Sequence, residues 1–320
     1  MCYIGILRRQ AFKTVSRGGL VWFECARFSR LRWILHAFST RRGAASRAPS
    51  AGLNLGFTVW DRRARVEQNR RLFFAQLGAQ RFALASLRQI HSSHVFQVAS
   101  GATEELEYRP CGILFPEQRD KTPPAGDAVL TDQARILLSV RTADCLPILV
   151  VDPKRRAVGA VHAGWRGALA RIIEKAVGEM RRLFGSQPER LLAAVGPSIH
   201  SCCYGVGEEV VEAFHGRFAR AERFFRTAFP LSETLAGRSP LLSLQAQPRR
   251  RGLDAVPLAH LDLVTVAREQ LWSAGLLPRN IFAAELCTAC RTELFFSHRK
   301  EGIRAGRMMA VIGIRPDAQE

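Results

Sequence analysis

Apolar residues cluster in short blocks along much of this chain, and the densest of these blocks lie between Asp127 and Gly167. Ala128–Thr131, Ile136–Val140, Leu146–Val151 and Ala157–Val161 are short runs rich in Val, Ile and Leu, the pattern of strands. Asp152-Pro153-Lys154-Arg155 supplies a turn between the last two. Leu191–Val195, Ile281–Glu285 and Met308–Ile314 read as further buried strands. Helical periodicity predicts a helix from Val66 to Leu77, capped by Gly78, and a longer one from Trp165 to Phe184. In the longer one Leu169, Ile172, Ile173, Ala176, Val177, Met180 and Leu183 form one stripe while Arg171, Glu174, Lys175, Arg181 and Arg182 face water. Gly207–Phe214 and Leu261–Ala274 are shorter helices. Strands and helices alternate irregularly and no internal repeat is visible. The pattern predicts a single α/β or α+β domain with its sheets covered by helices.

This pattern places two reactive side chains near strand ends. Cys145, in Thr142-Ala143-Asp144-Cys145, precedes one apolar run, and His162 follows the next. A rigid strand end presents a ligand or nucleophile to an open pocket. His91, in Gln89-Ile90-His91-Ser92-Ser93-His94, closes another short apolar segment. Two imidazoles and a thiolate suit zinc, which accepts nitrogen and sulfur and keeps a fourth position open in catalytic sites. The spacing alone leaves buried or incidental residues as the alternative. Cys145 with His162 as base also fits a cysteine hydrolase.

Composition narrows the classes. The chain has 320 residues, 47% hydrophobic and 23% charged, as in a soluble globular protein. It lacks the apolar run of about 18 residues that a membrane span needs, and its first 30 residues carry too many charges for a signal peptide. A cytoplasmic protein is the expectation, a monomer or weak homo-oligomer, without a membrane partner. The net charge of +19 would attract phosphate backbones. Its arginines are dispersed, however, with no stacking aromatics among them, so no specific nucleic-acid partner is expected. Neither a Walker motif nor a GxGxxG fingerprint occurs. Eight cysteines without a signal peptide indicate reduced thiols. Cys287-Thr288-Ala289-Cys290 is a CxxC read as structural: a four-cysteine metal site needs a second pair, and Cys202-Cys203 is adjacent rather than spaced.

Several blocks, in order, resemble one family. They are HAFSTRRGAASRAPSAGLNLG at His36–Gly56, QIHSSHV, DAVLTDQ, TADCLPILVVDP, VGAVHAGWRGAL, AAVGPSIHSCCYGVGEEV and FFSHRKEGIRAGRMMAVIGI. They are similar to the laccase-domain family, first labelled multicopper polyphenol oxidase and now described as purine nucleoside phosphorylases with adenosine deaminase side activity. The resemblance runs from about residue 30 to about 315. It implies a layered α/β/β/α sandwich over residues 31–316, preceded by an N-terminal extension, 1–30, and carrying a variable insertion at about 224–256.

The resemblance further implies that His91, Cys145 and His162 are zinc ligands and catalytic residues. Purine nucleosides, adenosine, inosine, guanosine or methylthioadenosine, and inorganic phosphate become the expected partners. Arg41, in HAFSTRRG, and Arg299, in FFSHR, are candidates for a phosphate clamp, because a guanidinium fork matches two oxygens at once. Asp127 is assigned to substrate binding. Asp144, beside Cys145, is a candidate to orient a histidine or act as general acid or base, with a strand-end cap as its alternative. The family's Gly after the first ligand histidine is replaced here by Ser92, which shifts the expected local backbone preference. His94 and His200 are further possible ligands, and His298 lines the expected pocket. The deaminase signature of H-x-E with P-C-x-x-C is absent. A copper oxidase is the other reading, weakened because only eight histidines occur and none forms HxH.

Overall fold

The computed structural model describes residues 11–43, 52–101, 105–111, 123–227 and 259–316. A six-stranded sheet runs in spatial order Phe12–Arg17, Leu20–Cys25, Ile34–Ser39, Met308–Ile314, Ile136–Thr142 and Ala83–Ser86. A seven-stranded sheet runs Ile281–Ala283, Leu192–Val195, Leu146–Asp152, Ala157–Ala163, Ala128–Thr131, Val95–Ser100 and Leu106–Cys111.

Alternation along single strands shows how the layers stack. In Met308–Ile314, Met308, Ala310, Ile312 and Ile314 enter the core between the sheets, while Met309 and Val311 face outward onto Phe73 and Leu77 of the helix Arg63–Leu77. In Ala157–Ala163, Val158 and Ala160 meet the first sheet, and Ala157, Val161 and Ala163 pack on the helices Ile172–Phe184 and Leu263–Ser273. Each strand thus buries both faces. This is why its sequence is continuously apolar rather than alternating, and why the layers run helix, sheet, sheet, helix as expected.

Two expectations are corrected. The apolar stripe of Trp165–Phe184 belongs to two helices, Trp165–Leu169 and Ile172–Phe184, parted at Arg171, whose φ of 60° is left-handed. Residues 12–25 of the expected N-terminal extension are part of the core. Phe12–Arg17 and Leu20–Cys25 form an antiparallel hairpin in which Gly18 and Gly19 both take positive φ, and Phe12, Phe23 and Cys25 enter the core between the sheets. A Gly-Gly pair between two short runs is a hairpin signal in its own right. Within the expected insertion, Phe225–Thr227 is a strand paired with Ala259–Leu261 in a small three-stranded sheet; the remainder, 228–256, lies outside the described residues. No helix among the described residues is long and apolar enough to cross a membrane.

Candidate active site

The reactive side chains gather where the two sheets part. His162 is the penultimate residue of its strand and shares the parity of Val158 and Ala160, so it points toward the interlayer at its open end. Cys145 immediately precedes Leu146–Asp152, the neighbouring strand. The loop carrying His91 closes over both. One donor atom each from His91, Cys145 and His162 lie within 4.8 Å of one another, with His91 Nε2 3.7 Å from Cys145 Sγ. His162 is buried, Cys145 half-buried and His91 exposed, so the trio opens to solvent on one side.

Asp127 builds this arrangement. Its carboxylate is completely buried. His162 Nδ1–H donates to its Oδ1 at 2.8 Å, the amides of His91 and Ser92 donate at 3.1 and 2.6 Å, and the Ser92 hydroxyl donates at 2.6 Å. The expected contact of Asp127 with substrate is therefore closed off by burial, and its work is to aim protein groups. With Nδ1 engaged, His162 is left to face Cys145 through Nε2. A carboxylate behind a ligand histidine is the usual orienting partner at metal sites. The hydroxyl of Ser92, which a glycine would lack, adds one bond to this carboxylate. The left-handed backbone falls on His91 itself, φ 59°, and not on Ser92.

Charge follows geometry. Burial pushes the Cys145 thiol up, but the charge and hydrogen bond of His162 and the hydrogen bond of His91 outweigh it and bring it down to about 6. Burial disfavours the His162 imidazolium, yet the Cys145 thiolate and Asp127 raise it to about 9. Thiolate and imidazolium stabilise each other. Gly164 leaves room for the trio: a Cβ there would lie 2.6 Å from His91 Cδ2 and 3.1 Å from Cys145 Sγ.

Asp144, expected as an orienting or acid–base residue, is buried and its carboxylate is filled. It accepts from Thr288 Oγ1 at 2.6 Å, Ser297 Oγ at 3.1 Å and the Arg299 amide at 2.7 Å. Its φ of 89° and these bonds turn the chain into Cys145 and tie down the C-terminal loops. Arg41 is likewise engaged. Its Nη1 donates to the carbonyls of Thr292 and Phe295 and pairs with Glu301 at 2.9 Å, and its guanidinium stacks over Phe296. A cleft of about 800 Å³ beside Arg41, Arg42 and Lys300 contains none of the trio. Arg299 donates to the Gly205 carbonyl and covers the Tyr204 ring. His94, His200 and His298 stand outside the trio; His298 Nδ1 bonds the Gly302 carbonyl within its own turn.

Sequence reasoning missed a string of half-buried arginines. Arg307, in the quoted block GIRAGRMM, is lowered by burial while the charges of Cys145 and Asp144 oppose that shift. Arg141 is lowered by burial and then by Arg307, and Arg70 by burial and then by Arg141, to about 10. None of the three has a carboxylate partner among the described residues. Such crowding of half-buried cations, one of them near Cys145, suits an anion. Arg307 lies within the block FFSHRKEGIRAGRMMAVIGI, but nothing in one dimension sets it apart from dozens of other arginines.

Residues 35–315 match the family described as multi-copper polyphenol oxidoreductase laccase. The chain belongs to this family. Among its relatives, purine nucleoside phosphorylase YlmD of Geobacillus stearothermophilus is 31% identical over 96% of this chain and 98% of its own. Adenosine deaminase RL5, from an unknown prokaryotic organism, is 35% identical over 85% of this chain and 91% of its own. The crystal structure of Bacillus licheniformis hypothetical protein YfiH superposes with a TM-score of 0.74 at 27% identity, covering 95% of this chain and 99% of that one. Membership of the laccase-domain family makes this chain an enzyme, and the His/Cys/His trio falls inside the matched region.

Proposed function

We propose that this laccase-domain enzyme is a zinc-dependent purine nucleoside phosphorylase with the trio at its centre. The observation that carries the reading is the convergence of His91, Cys145 and His162, with His162 oriented from behind by a buried carboxylate. A thiolate and two imidazoles on one open face are a donor set for zinc with a vacant position. Zinc there supplies a Lewis acid that polarises an oxygen of phosphate or of water. The relatives named purine nucleoside phosphorylase and adenosine deaminase support nucleosides as the substrate class, with adenosine, inosine, guanosine and methylthioadenosine as candidates.

In phosphorolysis a phosphate oxygen forms a bond to ribose C1′ as the bond from C1′ to the purine nitrogen breaks, and the base leaves with that electron pair and takes up a proton. Arg307 and Arg141 offer the unpaired guanidinium charge that a phosphate dianion needs, with Arg299 at the rim. Arg41, expected in this role, is committed to Glu301. Asp144 is saturated by donors, so it holds the backbone beside Cys145 rather than exchanging a proton. The Tyr204 hydroxyl is kept protonated, first by burial and then by the Cys145 charge, and is available as a donor.

The low thiol pKa of Cys145 beside His162 also fits a metal-free cysteine nucleophile. Metal content separates the two, because a thiolate bound to zinc is no free nucleophile. The decisive assay incubates the zinc-loaded protein with adenosine, with and without phosphate, and identifies products by mass. Ribose 1-phosphate and adenine formed only with phosphate support the reading; inosine alone would make the enzyme a deaminase, and free ribose a hydrolase.

A further inference from the structure

The chain holds a second cluster of metal-ligating groups, independent of the first. Cys202 and Cys203 lie in the turn that follows His200, Cys287 forms an isolated bridge with Ser198, and Cys290 ends the turn that follows that bridge. Cys203 and Cys290 are 87 residues apart in sequence, yet all four sulfur atoms lie within 4.8 Å of one another. Cys290 Sγ is 3.5 Å from Cys202 Sγ and 3.4 Å from Cys203 Sγ.

We propose that Cys202, Cys203, Cys287 and Cys290 form a tetrathiolate zinc site that staples the 198–206 segment to the 284–299 segment beside the active site. Four thiolates bound at about 2.3 Å to a tetrahedral ion stand about 3.8 Å from one another, close to the separations seen. Without a cation, four sulfurs this close cannot all ionise, since each added charge repels the others. Backbone amides converge on the most buried of them. The His200 amide donates to Cys287 Sγ at 3.4 Å, and those of Ala289 and Cys290 also hydrogen-bond this sulfur. Such donors offset the excess negative charge of a four-thiolate site. The CxxC supplies two ligands from one turn, and the adjacent Cys202-Cys203 pair supplies the others because the 200–203 turn delivers both sulfurs to one side. Adjacent cysteines lack ligand spacing along the chain, and the fold supplies what the spacing does not.

The position gives the ion a structural task. Each stapled segment also bonds Asp144, the residue before Cys145: the Ile199 amide donates to its carbonyl at 2.8 Å, and Thr288, Ser297 and the Arg299 amide fill its carboxylate. A closed ion site here fixes the wall from which Tyr204 and Arg299 project. No step of the reaction passes through it.

The test is elemental analysis of the full-length protein, purified with reductant and zinc and then freed of loosely held metal. Two zinc ions per chain are expected in the wild type and one in His162→Ala. Cys202→Ser/Cys290→Ser should also retain one, and the combination of all three substitutions none. As a second readout that does not require the cysteine variants to fold, His162→Ala is loaded with Co(II). Intense sulfur-to-metal charge-transfer absorption at one equivalent is expected, since the first site then lacks a ligand. A zinc count in the cysteine variant equal to that of the wild type, or a cross-link among the four cysteines in protein kept under reductant, would overturn the proposal. Absence of the Co(II) absorption would overturn it equally.

Discussion

Asp127 Oδ1 accepts a hydrogen bond from His162 Nδ1 at 2.8 Å, and the same carboxylate gathers the amides of His91 and Ser92. One buried acid therefore sets the ring of one donor and the backbone of another. Asp127→Asn keeps the size but loses the charge and puts an NH2 donor in place of one oxygen, so either His162 Nδ1 and the His91 amide at Oδ1 or the Ser92 amide and hydroxyl at Oδ2 lose their acceptor. Zinc affinity, read by chelator competition, is expected to fall about 10- to 100-fold. Unchanged affinity would show that Asp127 is only a packing residue.

Gly164 tests the same site by volume. The Cβ of Gly164→Ala would meet the His91 ring at 2.6 Å and the Cys145 sulfur at 3.1 Å. Neither is a flexible surface tip, so His91 has to swing away. Metal occupancy and turnover are expected to drop together while the thermal midpoint stays near that of the wild type. Full occupancy in this variant would mean that the loop around His91 yields freely.

Some of this was legible in one dimension and some was not, for physical reasons. Leu146–Asp152 and Ala157–Ala163 are written as continuous apolar runs because they are buried on both faces, and such runs identify themselves. Cys145 and His162 were visible as the reactive residues bounding those runs. The role of Asp127 was hidden because its partners lie 35 to 37 residues away and include backbone amides. The break at Arg171 was hidden because an apolar stripe continues across a left-handed residue without a change in period. The gathering of Cys202 and Cys203 with Cys287 and Cys290 depends on two distant turns meeting.

Two arginines separate phosphate binding from fold maintenance. Arg307→Gln removes a guanidinium that senses the Cys145 and Asp144 charges, and the KM for phosphate is expected to rise at least tenfold, with the KM for nucleoside changed less. Arg41→Lys loses the planar guanidinium that stacks over Phe296 while its Nη1 reaches Thr292, Phe295 and Glu301. It is expected to cost about 1–3 kcal/mol of stability in urea unfolding, with little effect on the KM for phosphate. The reverse pattern would return Arg41 to the phosphate clamp and discard Arg307.

His36 gives a pH dependence that is remote from the reaction. It is buried in the strand Ile34–Ser39, and its Nε2 accepts the Cys25 amide at 3.0 Å. Burial, only partly opposed by the charge of Glu24, pulls its pKa down to about 4. The unfolded chain has an ordinary histidine near 6.5. As pH falls, the unfolded state takes up this proton first. Stability from a neutral His36 is thus fully present above about pH 6.5 and is lost as pH falls toward about 4, in all about 3 kcal/mol. His36→Gln retains an acceptor for the Cys25 amide and has no proton to gain. Between pH 6.5 and 4 its unfolding free energy, measured in urea, is expected to fall less steeply than that of the wild type by about that amount. Parallel curves for the two proteins would place the acid sensitivity elsewhere.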